Sequence, residues 1–257
     1  MTGSYSLSLA AVDILSQSLS LNLRLFPFEI PSFGRLMEDR VRIAKAVFTD
    51  LRRRGLIRGS EVDPDLRRAL RTLADFRIAV AAMGTLEEGR HLFARASAAG
   101  EDGVLAVQDG QKIRIQEIRP ATLAAAMVGL LPRMEAGPGQ SVTLTKPVAT
   151  VAARDGDEDF FGGVHTSTLG RPTDALRLVE GYLSRPRIGS GFFAVSGRDR
   201  YGKEIRAGEL GWYDTDAGRY LNLSRPPGDD GQTHNSFAPA DPARLAWQLG
   251  QLIESVA

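Results

Sequence analysis

The order in which helix and strand signals follow one another is the strongest constraint in this sequence, because the same order occurs twice. Residues 185–223, RPRIGSGFFAVSGRDRYGKEIRAGELGWYDTDAGRYLNL, read as three strands at about 191–197, 204–213 and 219–223, separated by turn residues. Ahead of them Thr173 or Asp174 caps a helix carrying Leu176, Val179 and Leu183. Behind them a short strand over 233–237 leads to Asp241-Pro242, an N-cap followed by proline at the first helical position. The last helix then carries Leu245, Leu249, Leu252 and Val256 on one face.

The same sequence of signals runs about a hundred residues upstream. Asp63-Pro64 starts a helix with Leu66, Leu70 and Leu73 at helical spacing, and strands are expected at 76–83, 90–98, 103–108 and 112–118. Asp109-Gly110 is a hairpin turn, since both central positions of the tight turn that matches strand twist favour these residues. Lys112, Ile113, Arg114, Ile115 and Gln116 alternate, so this sheet has one wet and one buried face there. Pro120 opens a closing helix with Leu123, Met127 and Leu130. Pro120 and Pro239 are 119 residues apart, whereas the pairs Arg77-Ile78 and Arg187-Ile188 are 110 apart. Unequal offsets indicate duplicated topology with altered loops, and the period is too long for a solenoid. The expected class is therefore α+β, in two pseudo-symmetric halves, each a mostly antiparallel sheet flanked by helices. The first half spans 1–133 and the second 171–257 of a single 257-residue domain.

Between them, 134–170 reads as a linker-rich connection. It holds Gly137, Gly139, Gly156, Gly162, Gly163 and Gly170, the acidic cluster Asp155, Asp157, Glu158 and Asp159, and a strand signal over 142–151. At the N-terminus, 5–9 alternates like a strand and 10–19 turns helical. Phe26 to Phe33, with Pro27 and Pro31, suits an extended segment lying on a core. Residues 35–54 form a helix that ends at Gly55, with Arg52, Arg53 and Arg54 in its last turn, where cations favour the helix dipole.

Composition narrows the function. Apolar residues make up 43% and charged residues 25%, and the formal charge of +1 provides no global field for polyanions or anionic lipid. The absence of cysteine removes disulfide and thiolate chemistry and fits a reducing cytoplasm. The first 26 residues lack a basic leader and are interrupted by Asp13, so neither a signal peptide nor a membrane span is expected.

Catalytic signatures are scarce. His91, His165 and His234 are dispersed, and none belongs to a helical two-histidine motif, so no metal site is expected. The run from Asp155 begins like a calcium loop but has Phe160 and Thr166 where glycine and glutamate are required. Ser190 lies between glycines but leads into a strand, unlike a nucleophile elbow. No phosphate loop or dinucleotide fingerprint is present, and no cofactor is expected. Two alternatives remain. His234 and Ser236, with Asp229, give an enzyme reading that requires them to converge. Residues 35–71, with eleven basic against six acidic side chains, give a nucleic-acid reading that lacks an aromatic platform.

The loop Gly84, Thr85, Leu86, Glu87, Glu88 and Gly89 joins two strands between glycine hinges, a favoured location for partner contacts. The segments GLIRGSEVDPDLRRALRTLADFRIAV, SGRDRYGKEIRAGELGWYDTDAGRYL and PADPARLAWQLGQLI resemble the EspG family, proteins associated with the ESX (type VII) secretion systems of actinobacteria. The resemblance implies a cytosolic, non-enzymatic chaperone that binds PE–PPE heterodimers, covers the apolar PPE tip and keeps the pair soluble for export. It also implies a fold in two pseudo-symmetric halves. The implied partner surface takes in the central sheet, the loop Gly84, Thr85, Leu86, Glu87, Glu88, Gly89 and Arg90, and the exposed face of the last helix through Gln248, Gln251 and Glu254. This loop is shorter than in several members of the family. Whether the free protein is a monomer or a homodimer stays open at this level.

Overall fold

The computed structural model describes residues 3–147, 174–224 and 232–257. The first half begins with strand β1 (Ser4–Ser8) and helix α1 (Leu9–Ser18), joined without a loop because Ser8 caps the helix by accepting the Ala11 N–H at 3.1 Å. Helix α2 (Met37–Arg53) and a small hairpin, β2 (Ile57–Arg58) and β3 (Glu61–Val62), lead to helix α3 (Pro64–Ala74). Asp63 accepts the Asp65 and Leu66 N–H groups, so the expected proline-led start is realised. A meander follows: β4 (Ile78–Thr85), β5 (His91–Ala99), β6 (Asp102–Asp109) and β7 (Lys112–Ile118), closed by helix α4 (Leu123–Val128).

The second half repeats this plan. Strand β8 (Val142–Pro147) takes the place that β1 holds in the first half. Then come helix α5 (Asp174–Leu183), strands β9 (Arg187–Arg198), β10 (Glu204–Thr215), β11 (Gly218–Ser224) and β12 (Gln232–Pro239), and helix α6 (Pro242–Glu254), capped by Asp241. All ten long strands form one sheet in the order β1-β7-β6-β5-β4-β9-β10-β11-β12-β8. Each meander therefore runs outward from the centre, and the two meet where β4 pairs antiparallel with β9, Ile78 against Gly197 through Thr85 against Ser190. Inside the segment expected as linker, β8 pairs with β12, and Ala136 bridges to Arg219. The acidic cluster at Asp155, together with His165 and Asp229, lies outside the described residues.

The helices cover the sheet unequally. On one face α4 and α6 pack side by side over the centre, against Val80, Ala82, Ala96, Phe193, Val195, Leu210 and Trp212. On the other face α1, α2 and α3 cover the outer strands of the first half, against Val104, Ala106, Ile113 and Ile115. There α5 covers the outer strands of the second half through Val179 and Tyr182, and Tyr182 stacks on Tyr220 with ring centroids 4.6 Å apart. The middle of this second face, formed by β4, β5, β9 and β10, lies between the two helix groups.

Candidate partner-binding surface

Strand register determines which side chains lie in that gap, because directly paired residues share a face. One row runs Phe93, Met83, Phe192, Gly211 and Asn222 across β5, β4, β9, β10 and β11. The adjacent row runs Ala106, Arg95, Ala81, Ala194, Glu209 and Ser224 from β6 to β11. The floor is apolar and, at Ala81, Ala194 and Gly211, small. Met83 is 38% exposed, and Phe93, Phe192 and Ala194 are half-buried. From the N-terminal segment Phe26 leans over the stripe, stacked on Phe192 at 6.3 Å and still 52% exposed. An apolar floor that no described helix covers, between two covered flanks of one sheet face, is the kind of surface that a protein partner fills.

Two charges stand in the second row, Arg95 on β5 and Glu209 on β10. Arg95 is only 7% exposed, donates from Nη1 to the Phe26 carbonyl at 3.1 Å and lies over the Phe76 ring. Its Nε has no acceptor, and no carboxylate lies within ion-pair distance among the described residues. Burial lowers its pKa to about 10, with Arg198 adding to the effect and Glu204 opposing it. Glu209, three strands away, is half-buried, and loss of water raises its pKa against the pull of Arg206.

The stripe opens at one end into a cleft of about 1130 Å³ lined in part by Glu29, Leu86, Arg90, His91, Phe93 and Arg114. This is where the loop 84–90 sits. It is a compact turn: Leu86 N–H donates to the Arg90 carbonyl at 2.7 Å, and Glu88 and Gly89 take positive φ values of 61° and 72°. From the sequence, Leu86 is expected to face a partner. Instead the side chain turns inward, 5% exposed, against the core under α4 and α6. Its backbone closes the turn, and an apolar side chain there gains more from burial than from water. Thr85, Glu87, Glu88 and Arg90 are the exposed side chains. Gly84 is structural as well: a Cβ there would lie 2.5 Å from the Ser190 carbonyl and 2.8 Å from the Trp212 ring.

The residues expected on α6 lie elsewhere. Gln251 donates to Glu254 at 3.0 Å on the exposed side of the helix, and Gln248 is half-buried. The end of α6 reaches Gly197, where an added Cβ would meet the Val256 carbonyl, and Gly197 pairs with Ile78 at the start of β4. The loop 84–90 leaves the opposite end of the same strand, roughly 24 Å away at about 3.4 Å per residue. The loop and the end of α6 therefore do not form one patch. Sequence reasoning missed Trp247, which is 63% exposed on α6 beside Gln248, and it missed Phe26, Met83 and Phe192.

His234 and Ser236 lie two apart on β12, and the Ser236 hydroxyl shares a 3.0 Å hydrogen bond with the Thr143 hydroxyl on β8. Neither lines the cleft. On the arginine-rich helices, Asp39 pairs with Arg42, Asp50 with Arg53 and Arg54, and Asp65 with Arg68. Such intrahelical pairs offset much of the positive charge locally, as on an ordinary solvated face. Among the described residues no helix is long and apolar enough to cross a membrane.

Two lobes of like topology, sharing one antiparallel sheet with an apolar middle that no described helix covers, define a two-lobed α+β scaffold. The chain belongs to the EspG family, whose model matches residues 8–251. Its structure is similar to that of the Mycobacterium tuberculosis type VII secretion system chaperone EspG5, solved in complex with a PE25–PPE41 dimer. The TM-score is 0.66 at 12% identity, over 99% of this chain and 96% of that one. No curated protein sequence matches this one.

Proposed function

We propose that this protein is a cytoplasmic chaperone of a type VII secretion system that binds a PE–PPE heterodimer, covers the apolar tip of the PPE subunit and keeps the pair soluble for export. The reaction is binding alone, with no bond made or broken. The observation that carries this reading is the apolar stripe of Phe26, Met83, Phe93 and Phe192, in which Phe26 is 52% and Met83 38% exposed, on a sheet face that the described helices cover only on either side of it. An exposed apolar helical tip aggregates in water, and a complementary apolar floor removes that exposure at both surfaces. Membership of the EspG family and the EspG5 likeness support the choice of partner.

In this account Gly84, Thr85, Leu86, Glu87, Glu88, Gly89 and Arg90 form one rim of the bound site. Glu87, Glu88 and Arg90 make the contacts, while Gly84 and Leu86 hold the turn. Gln248, Gln251 and Glu254, with Trp247, form a second and separate contact face on α6. Co-expression with PE–PPE pairs from the same genome, followed by affinity purification, tests the function. One pair is expected to co-purify at one heterodimer per chain, and retention of none contradicts the proposal.

A further inference from the structure

The proposed function leaves open what, besides apolar surface, a partner must carry. The row Arg95, Ala81, Ala194 and Glu209 bears on that question. Its two ends are of opposite charge, and the two residues between them are alanines, so nothing bridges them. Three strand spacings of about 4.8 Å place the ends roughly 14 Å apart. That is too far for a direct pair and close to the width of one helix with its side chains.

Among the described residues neither charge has an ion-pair partner. Glu209 has no ion pair or hydrogen bond to its carboxylate among the described residues, although half of it is out of water. Its diagonal neighbour Asn222, beside side-chain-free Gly211, keeps a buried amide oxygen without a donor among the described residues. Thus two acceptors without donors lie at the β10–β11 side of the stripe. At the β5 side Arg95 is a buried cation without a counter-ion among the described residues, held under the Phe26 carbonyl. A carboxylate that has lost part of its hydration and gained no donor in return is a cost to the free protein. A partner cation placed there recovers that cost, and the same cation placed over Arg95 meets a like charge.

We infer that the partner segment seated on this stripe carries a lysine or arginine that pairs with Glu209, and that the Arg95-to-Glu209 polarity fixes which way that segment lies across the strands. The inference rests on the proposed function, since it names the chemistry of the partner at the same surface. The apolar floor supplies contact area without direction, because apolar burial is non-directional. The charges supply the direction.

The test measures affinity for one purified PE–PPE heterodimer at two salt concentrations, using wild type, Glu209→Gln, Glu209→Lys and Met83→Arg. Glu209→Gln keeps the shape of the side chain, and matched melting temperatures control for folding. The expected result is a loss of about tenfold for Glu209→Gln with a flatter salt dependence, and of about a hundredfold or more for Glu209→Lys. Reversing the charge of one basic residue at the partner's tip is expected to restore binding to Glu209→Lys. If Met83→Arg abolishes binding while Glu209→Gln changes neither affinity nor salt dependence, the charge pairing is wrong and the docking surface stands. If Met83→Arg binds normally, the surface itself is wrong, and the pairing falls with it.

Discussion

Arg219 and Asp214 form a fully buried, two-pronged ion pair inside the β10–β11 hairpin, with Nε to Oδ1 at 2.6 Å and Nη2 to Oδ2 at 2.8 Å. Arg219 also donates from Nη2 to the Pro132 carbonyl, and its own carbonyl accepts the Gly137 and Ala240 N–H groups. One residue thus ties the second-half hairpin to the chain leaving α4 and to the chain entering α6. Removing either partner leaves the other charge buried and unpaired, so Arg219→Met or Asp214→Asn alone is expected to destabilise the protein by about 3–5 kcal/mol. The double change to apolar residues of similar volume recovers much of that loss. Chemical denaturation of the three variants measures both.

Asp13 plays the corresponding role at the other end of the molecule. It accepts from Arg24 at 2.7 Å, from Arg40 at 2.9 Å and from the Phe33 N–H at 3.1 Å, so it holds the 24–40 segment, including Phe26, in place. Burial alone pushes its pKa up, but the bonds from Arg40, Phe33 and Arg24 outweigh this and leave it below the usual carboxylate value. A pKa depressed on folding contributes stability above the unfolded value and loses it as pH falls through the folded one. Melting temperature is therefore expected to drop on acidification below the normal aspartate range, and Asp13→Asn is expected to be less stable at neutral pH with a shallower acid dependence. Equal acid profiles for the two proteins contradict this role.

The seam between the halves leaves no space for extra atoms. A Cβ at Gly191 would lie 2.4 Å from the Met83 carbonyl and 2.4 Å from the Trp212 ring. One of these contacts is backbone in a paired strand, which cannot yield without opening the β4–β9 ladder. Gly191→Ala is expected to cost about 2 kcal/mol or more, against a gain of about 0.5–1 kcal/mol at an unstrained helix glycine such as Gly181 in α5. Thermal melting of Gly191→Ala, with Gly181→Ala in open space as control, gives the comparison.

Much of this architecture is legible in the sequence, and the reasons are local. Asp63-Pro64, Asp241-Pro242 and Asp109-Gly110 each satisfy orphan backbone groups or turn dihedrals by their own chemistry, so the elements they bound can be placed without tertiary information. The duplication follows from their order. Which strands meet is not legible. In β4, IAVAAM is apolar on both faces, as is GFFAV in β9, because one face lies under α4 and α6 and the other forms the stripe. Period-two alternation cannot distinguish an open apolar face from a covered one. Hence Met83 and Phe192 carry no signal of their own in the sequence, and the more conspicuous loop points to Leu86, which is buried. The expected helix after Pro120 is also shorter than its apolar spacing suggests, because a 3-10 turn takes up Pro120–Thr122 and the helix stops before Gly129.

Truncating Trp247 tests the proposed second contact face on α6 apart from the stripe. A tryptophan 63% exposed on α6 loses little stability on truncation, since little of it is buried. Trp247→Ala is expected to leave the melting temperature within about 2 °C of wild type. If α6 contributes a second contact, the variant weakens PE–PPE binding by about tenfold, the scale on which an aromatic anchor counts at an interface. Unchanged affinity in a titration assigns all binding to the stripe and its rim.

Chaperone docking at the stripe is measured most directly by co-purification of a co-expressed PE–PPE heterodimer with wild-type protein and with Met83→Arg, both confirmed as folded by circular dichroism. A stoichiometric complex is expected for wild type and none for Met83→Arg. Equal recovery with both proteins, or capture by neither of any pair from the same genome, contradicts it.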